Sequence, residues 1–368
     1  YFPMAIAILI IAFPVMKYYL PFFRRLKLTT AYEYLEIRFN YTTRFLASAL
    51  FILFMIARMA LVLFLPSLAL TTVTGIDIYT CIILMWIITI IYCTMGGVEA
   101  VIWGDVIQGF VLLGGTLFAA VFLLTEIDGG AGRLIQISMD NHKFTMFDLT
   151  LSWKSATLWV VLLGGLANNL ISYSADQTVI QRYLTTKNEK SAARGILMNG
   201  IMSVVVLVVF YFIGTALYAY YKTHPGDLNF TMQNTDAIFP HFIMSNMPVG
   251  LAGLLIAAIF SATMSTVSSN VNSISTAFTT DFYRHFFPDT RDIVLLNVAR
   301  WSGVFFGVIG VGLALLMASM SILSLFDYFN TILGLLASGL GALFLMGIFF
   351  PSIGAGSALS GFILGTAS

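Results

Sequence analysis

The sequence predicts an all-helical protein embedded in a lipid bilayer, and three observations support this fold class. Of the 368 residues, 59% are hydrophobic, the mean hydropathy is +0.93, and only 10% are charged, against roughly a quarter in soluble domains. Nine stretches have about the length of apolar sequence that a membrane-spanning helix requires, and a tenth begins near the end of the sequence. The 30 glycines include close pairs, such as Gly164 with Gly165, which are typical of helices packed closely in lipid.

The apolar stretches give the expected order of spans. They cover residues 1–23, 42–73, 78–95, 98–124, 156–175, 192–221, 247–280, 292–318, 321–350 and a further segment from 353. The second and seventh are longer than a bilayer needs, so we expect them to tilt or to extend into water. Between spans, residues 30–39 (TAYEYLEIRF) predict a short amphipathic helix, and the polar loop 125–155 predicts a short helix near 133–137.

Basic residues are distributed unequally between the two sides that these spans define. Four basic residues fall on one side and thirteen on the other, namely Lys17, Arg24, Arg25, Lys27, Arg38, Arg44, Arg182, Lys187, Lys190, Arg194, Arg284, Arg291 and Arg300. Because basic loops stay in the cytoplasm, the richer side is predicted to be cytoplasmic. We therefore expect a multi-pass protein of the cell membrane, which would be the inner membrane in a bacterium.

Composition and motifs exclude several functions. The net charge is +1 and no basic run is interleaved with aromatic residues, so nucleic acid is not an expected partner. Cys81 and Cys93 lie within an apolar span, and the four histidines are scattered, so neither a disulfide framework nor a zinc site is predicted. No G-x-S-x-G or intramembrane G-x-G-D motif is present. We therefore do not expect an enzyme.

One span carries an unusual density of hydroxyl groups. Nine of the sixteen residues in 261–276 (SATMSTVSSNVNSIST) are serine or threonine. Ser265, Ser268 and Ser269 have the spacing of one helical face, which Ala262 and Thr266 flank. Serine hydroxyls and backbone carbonyls are suitable ligands for Na⁺. The alternative is a helix interface in which the hydroxyls serve only as contacts between helices.

Asp105 is a carboxylate within an apolar span, AVIWGDVIQGFVLL. An ionisable group in this environment is costly and usually functional, and a bound cation would neutralise it. Gln108 lies one turn away on nearly the same face. Alternatively, the span enters the membrane late and Asp105 lies at the water interface.

Arg58 is the third polar group at a depth where polarity is costly. Apolar residues flank it on both sides, from 49 to 57 and from 59 to 66, so its guanidinium cannot easily reach water. A planar guanidinium suits a carboxylate. Two interpretations remain: an internal ion pair with an acid such as Asp105 or Asp327, or the carboxylate of an anionic substrate.

Four segments together resemble the sodium:solute symporter family. They are TAYEYLEIRF (30–39), IIYCTMGGVEAVIWGDVIQ (90–108), DQTVIQRYL (176–184) and SATMSTVSSNVNSIS (261–275), in the family's order and with similar spacing. The resemblance covers about two-thirds of the chain and is greatest to the sialic acid transporters of that family.

The resemblance implies a fold of two inverted five-helix repeats around a site near the middle of the bilayer. It places residues 1–124 in the second to fifth core helices, with the first core helix missing, and 125–155 in an external loop. Residues 156–350 become the second repeat, core helices six to ten, and 351–368 begin a further helix.

The resemblance also implies functional residues. Ala262, Ser265 and Thr266 match the contribution of the eighth helix to the family's common sodium site. Asp105 with Ser265, Ser268 and Ser269 matches a second sodium site found in some members, and two Na⁺ sites are therefore expected. Arg58 lies where the sialic acid transporters bind a substrate carboxylate, and Asn169 lies where sugar transporters contact the substrate. Ala5 lacks the polar side chain expected in the second helix.

The expected function is a sodium-coupled symporter that imports a small organic solute by alternating access, with a carboxylated sugar such as sialic acid as the favoured substrate. A monocarboxylate or a neutral sugar is an alternative substrate. A transporter-like membrane sensor domain is the alternative class of protein.

Overall fold

The computed structural model describes residues 3–26, 28–144, 147–152, 155, 157–227, 238–319 and 325–367, with side chains of residues 72–73, 98, 325–333, 335 and 367 outside the description. These ranges are almost entirely helical and contain no strand. Lys27 and the side chain of Asp327, which the sequence analysis named, lie outside the described residues.

Fifteen α-helices are assigned in the described ranges, with π-helical turns at Val15–Tyr19 and Phe278–Tyr283. In chain order they are α1 (Pro3–Pro14), α2 (Leu20–Leu26), α3 (Tyr32–Arg38), α4 (Tyr41–Thr74), α5 (Ile78–Glu126), α6 (Gly130–Asp140), α7 (Leu158–Ala175), α8 (Gln177–Leu184), α9 (Glu189–Thr223), α10 (Ile238–Asn246), α11 (Val249–Ala277), α12 (Arg284–Phe286), α13 (Asp292–Ala318), α14 (Leu325–Phe349) and α15 (Ala355–Ala367).

Eight helical segments in the described chain are long and apolar enough to cross a membrane, which confirms a multi-pass membrane protein. They coincide with the first eight predicted spans, with ends that differ by a few residues; the seventh continues from α11 to Phe286. α14 and α15 stand where the ninth and tenth spans were predicted, and their described apolar parts cover Leu336–Phe349 and Ala355–Thr366. The inverted relation between two repeats remains a prediction.

α5 contains two predicted spans, Ile78–Gly97 and Glu99–Glu126, joined by a sharp reversal. Gly97 makes this reversal with φ 58° and ψ −152°, a conformation that residues with a Cβ rarely adopt. The reversal places Asp105 two turns after the chain re-enters the predicted membrane region. This depth positions its carboxylate against the hydroxyl groups of α11.

The short helix predicted at 30–39 is confirmed as α3, and the one near 133–137 as α6. α3 is not a freely solvated surface helix, because Tyr32 and Leu35 are fully buried. The Tyr32 hydroxyl donates to the carbonyl of Ala175 at 2.8 Å, and the backbone N–H of Ala31 donates to Gln177 Oε1 at 2.8 Å. α3 therefore fastens the end of α7 and the start of α8 on the predicted cytoplasmic side.

On the same side of the molecule, a buried carboxylate connects α4 and the segment before α3 to the π-helical turn that follows α11. Asp281, in the second π-helical turn, has no solvent exposure. Its Oδ1 accepts from Thr30 Oγ1 at 2.6 Å and from Arg44 Nε at 2.9 Å, and its Oδ2 accepts from Ser48 Oγ at 2.7 Å. Every part of this carboxylate is thus paired, as burial requires, and α3, α4 and α11 are held together at one point.

Candidate substrate and ion sites

Arg58, in the middle of α4, lines a cavity of about 190 Å³. Its Nη1 lies 3.3 Å from Asp176 Oδ2, and about a third of its side chain is exposed. This is the only ion pair of Arg58 among the described residues. The acid that pairs with Arg58 is therefore Asp176, whereas Asp105, one of the two acids named as candidates, pairs with Arg182.

Asp176 is positioned by the junction of two helices. It follows α7 directly, and its Oδ1 caps α8 by accepting from the backbone N–H of Thr178 at 2.8 Å. One carboxylate oxygen therefore holds α8, and the other faces Arg58. The sequence signal was present, because an aspartate at the end of an apolar helix and before a short polar one is typical of a helix N-cap.

The remaining walls of this cavity combine aromatic, aliphatic and polar groups. Its lining consists of Phe51, Phe54, Arg58, Asn168, Ile171, Ser172, Ala175, Asp176, Ala337 and Leu340. The Ser172 hydroxyl donates to the carbonyl of Asn168, whereas the side-chain amide of Asn168 has no hydrogen-bond partner among the described residues. The cavity thus offers a guanidinium and a spare amide beside apolar surface, which suits a small solute that carries a carboxylate.

Asn169 is not brought to this cavity. Its Nδ2 donates to the carbonyl of Gly165 one turn earlier in α7, at 2.7 Å. Its neighbour Asn168 lines the cavity instead. A one-residue shift on a helix turns a side chain by about 100°, which sequence likeness alone did not resolve.

A second polar site forms where α5 meets α11. Asp105 Oδ1 accepts from Ser265 Oγ at 2.6 Å, and Oδ2 lies 3.4 Å from Ser269 Oγ. The Asp105 side chain is 15% exposed, so it does not lie in bulk water. The carboxylate and two serine hydroxyls that the sequence analysis grouped are therefore adjacent.

Arg182 completes this second site, and the sequence analysis did not include it. Its Nη2 lies 2.5 Å from Asp105 Oδ2 and 2.6 Å from Ser269 Oγ, while 52% of its side chain is exposed. Arg182 belongs to DQTVIQRYL (176–184), which lies between two of the predicted spans. Its guanidinium stands where a cation would be expected.

The oxygen-rich surroundings of Asp105 fit a monovalent cation. The Oε1 atom of Gln108, one turn further along α5, is buried without a hydrogen-bond donor among the described residues. Such an orphaned acceptor is costly unless a donor or a cation satisfies it. In the described part of the chain, no three histidine, cysteine or acidic residues are grouped as a transition-metal site would require.

The other predicted ion ligands lie on α11. The Ser268 hydroxyl is fully buried and donates to the carbonyl of Ser265 at 2.9 Å, and Thr266 Oγ1 donates to the carbonyl of Ala262 at 3.2 Å. Ser268 therefore contacts its own helix and not Asp105. Ala262 and Thr266 are adjacent to each other, so a carbonyl and a hydroxyl are available at one point of α11.

The second half of the hydroxyl run has a different role. Ser273 Oγ donates to Thr178 Oγ1 at 2.9 Å, and Asn272 Nδ2 donates to Gln181 Oε1 at 3.4 Å. These contacts dock the polar face of α8 onto α11. The helix-interface interpretation therefore holds for residues 272–276.

The chain is similar in sequence to known transporters. Residues 2–365 match the sequence model of a family described as the sodium:solute symporter family. The chain is 38% identical over 369 residues to the sodium/sialic acid symporter SiaT of Proteus mirabilis (strain HI4320). The aligned region covers 98% of this chain and 72% of that relative. The chain is 37% identical over 367 residues to the sodium/sialic acid symporter NanT of Aliivibrio fischeri (strain ATCC 700601 / ES114), covering 99% and 72%.

A solved structure has the same fold. It is described as the substrate-bound outward-open state of a Na⁺-coupled sialic acid symporter that reveals a novel Na⁺ site. The TM-score is 0.90 at 37% identity, over 99% of this chain and 76% of that chain. The human sodium-coupled monocarboxylate transporter 2 is more distant, with 30% identity over 364 residues, 98% of this chain and 58% of the relative.

Proposed function

Because the chain belongs to the sodium:solute symporter family, we propose that it imports a carboxylated sugar of the sialic acid class together with Na⁺. The observation that supports this substrate assignment is the small number of polar contacts that Arg58 makes within the described residues. Its guanidinium lines a cavity and has one polar contact, of 3.3 Å, among the described residues, although a guanidinium carries five N–H donors. A substrate carboxylate would use the donors that the protein leaves unpaired.

Substrate binding would exchange one carboxylate for another. A substrate carboxylate that binds Arg58 in a bidentate manner makes shorter, charge-assisted hydrogen bonds than the present contact with Asp176. Asp176 retains its hydrogen bond to the backbone of Thr178, so α8 stays capped during the exchange. The amide of Asn168 is placed to bind a hydroxyl or acetamido group of the sugar.

Two Na⁺ ions would accompany the solute. One would bind at the carbonyl of Ala262 and the hydroxyl of Thr266, with further ligands from elsewhere in the fold. The other would bind Asp105, Ser265 and Ser269 after Arg182 has moved away. Both occupants of this second site carry one positive charge, so the charge next to Asp105 is conserved during the exchange.

Transport requires that these ligands favour one of two conformations over the other. Here the predicted cytoplasmic side is fastened by the contacts of Tyr32 and Ala31 with the α7–α8 junction. Arg24 adds a hydrogen bond to the carbonyl of Tyr183 at 2.8 Å. These contacts have to break before solute leaves on that side.

Uptake by the purified full-length protein in liposomes tests the proposal. Under an inward sodium gradient, we expect accumulation of sialic acid and little of its carboxamide, in which the negative charge is removed. Preference for a short monocarboxylate would assign the alternative substrate and leave the role of Arg58 intact. Equal uptake of the acid and the carboxamide would exclude a carboxylate contact with Arg58.

A further inference from the structure

A second and larger cavity, of about 360 Å³, lies between the end of α7, α8 and the first turns of α9. Its lining includes Arg182, Tyr183, Thr186, Gly195, Ile196 and Asn199. Arg182 therefore lines this cavity and also contacts Asp105 at the ion site. The proposed transport of sodium and solute does not use this cavity.

The surroundings of the cavity are basic. Residues 177–200 contain four basic residues (Arg182, Lys187, Lys190 and Arg194) and a single acidic one, Glu189. Lys187, Lys190 and Arg194 are exposed. A further guanidinium reinforces one wall, because Arg24 Nη1 donates to Thr186 Oγ1 at 3.0 Å. The cavity thus has one charged lining residue, Arg182, and three further basic residues close to it in the sequence, a charge balance that favours an anion.

The depth of the cavity corresponds to the phospholipid headgroups. α9 has 35 residues, which at 1.5 Å per residue is about 50 Å and longer than the roughly 30 Å hydrocarbon core. The basic residues of its first turns end at Arg194, and a largely apolar stretch follows from Gly195. Gly195 and Asn199 are exposed, so the cavity opens on the surface of α9 at this boundary.

We propose that this cavity binds the phosphate headgroup of an anionic phospholipid from the cytoplasmic leaflet, and that the phosphate draws Arg182 away from Asp105. A guanidinium at this level can bind either anion, but one group cannot fully satisfy both. Basic pockets between helices on the cytoplasmic side are known lipid sites in membrane proteins. The inference rests on the proposed function insofar as Asp105 binds Na⁺ once Arg182 has left.

The consequence is a reciprocal coupling between lipid and sodium. If the lipid phosphate favours the conformation in which Asp105 is free, it raises the affinity for Na⁺, and Na⁺ raises the affinity for the lipid by the same factor. The full-length protein would be reconstituted in phosphatidylcholine with or without phosphatidylglycerol. We expect phosphatidylglycerol to lower the half-saturating sodium concentration for uptake by about fivefold or more.

Two variants separate a bound lipid from the general attraction of Na⁺ to a negative membrane. Gly195→Phe fills the cavity, since a Cβ at Gly195 has open space around it, and should abolish the lipid response. Arg291→Gln removes a basic residue at the start of α13, outside this cavity, and should keep the response. A surface-potential effect would act alike on both variants. Gly195→Leu serves if the phenylalanine variant does not fold.

Native mass spectrometry measures lipid binding itself. We expect the wild-type protein to retain phosphatidylglycerol and the Gly195→Phe variant to lose it. The proposal is overturned if phosphatidylglycerol leaves the sodium dependence unchanged or acts equally on Gly195→Phe. It is also overturned if soluble glycerol phosphate, added to phosphatidylcholine vesicles, produces the same shift, since the ligand is then a free anion. Uptake that needs no sodium in any lipid would instead refute the proposed function.

Discussion

Arg58 and Asp176 form an ion pair of 3.3 Å at the wall of a cavity, and this long contact is the basis of the substrate-binding role proposed for Arg58. Arg44 shows the contrast, with contacts of 2.6 and 2.7 Å to Glu36 and Asp281. Arg44 has three acidic partners, whereas Arg58 has one among the described residues. The two arginines therefore predict different consequences of substitution.

Arg58→Lys should weaken the apparent affinity for the substrate by about 10- to 100-fold, because an ammonium cannot form the bidentate pair. The measurement is the concentration dependence of sodium-driven uptake in proteoliposomes. Arg133→Lys is a matched control, since Arg133 is exposed and contacts only Gln136 in its own helix among the described residues. An unchanged affinity in the Arg58 variant would make this arginine structural.

Asp105→Asn should remove one of the two Na⁺ ions that we propose, because the amide carries no charge to offset a bound cation. The ratio of ²²Na⁺ to solute taken up is expected to fall from about two to about one. Asp289→Asn, in the exposed turn before α13, should leave the ratio at its wild-type value. If the ratio stays the same in Asp105→Asn, this carboxylate does not bind a coupled Na⁺.

At the scale of helices, much of the fold could be predicted because apolar length is a local property of the sequence. The first eight spans, α3 and α6 were found in this way. The pairing of Arg182 with Asp105 could not be predicted, because it depends on the contact between α8 and α11. That contact joins residues far apart in the sequence, such as Thr178 and Ser273, and no pattern within either segment encodes it.

The Asp281 carboxylate leads to a prediction about stability. Asp281→Leu leaves the largely buried guanidinium of Arg44 without its closest fully buried partner, and such a loss costs about 3–5 kcal/mol. Thermal unfolding in detergent should show a clearly lower midpoint. Glu36→Gln removes a partially exposed partner of the same arginine and should cost about 1 kcal/mol or less. Equal losses in both variants would contradict the special role of Asp281.

The backbone conformation of Gly97 leads to a second prediction about stability, which concerns α5. Gly97→Ala forces a Cβ into a backbone conformation with φ 58° and ψ −152°, at a cost of about 1–3 kcal/mol, and loosens the reversal within α5. Unfolding should occur at a lower temperature than in wild type. Gly109→Ala adds the same methyl group further along α5, where a Cβ meets nothing within 4 Å, and should be neutral or slightly stabilising. If both variants behave alike, the conformation of Gly97 carries no strain penalty.

For the whole molecule, two Na⁺ ions and one monoanion would move one net positive charge per cycle. An inside-negative potential should then raise the accumulation of solute about tenfold for each ~60 mV, since one charge gains about 2.3 kcal/mol per 100 mV. Potassium diffusion potentials in proteoliposomes test this expectation. Asp105→Asn should make uptake nearly independent of voltage, and a voltage-independent wild type would exclude the two-to-one ratio.

Asp281 also constrains the order in which the protein is made. Thr30, Arg44 and Ser48 emerge from the ribosome more than 230 residues before the carboxylate that they bind. Until then, the acidic partners of Arg44 in this cluster are Glu36 and Glu33, which precede it in the chain. The contacts of α4 and of the segment before α3 with this carboxylate are therefore completed only after α11 and the π-helical turn that follows it have been synthesised.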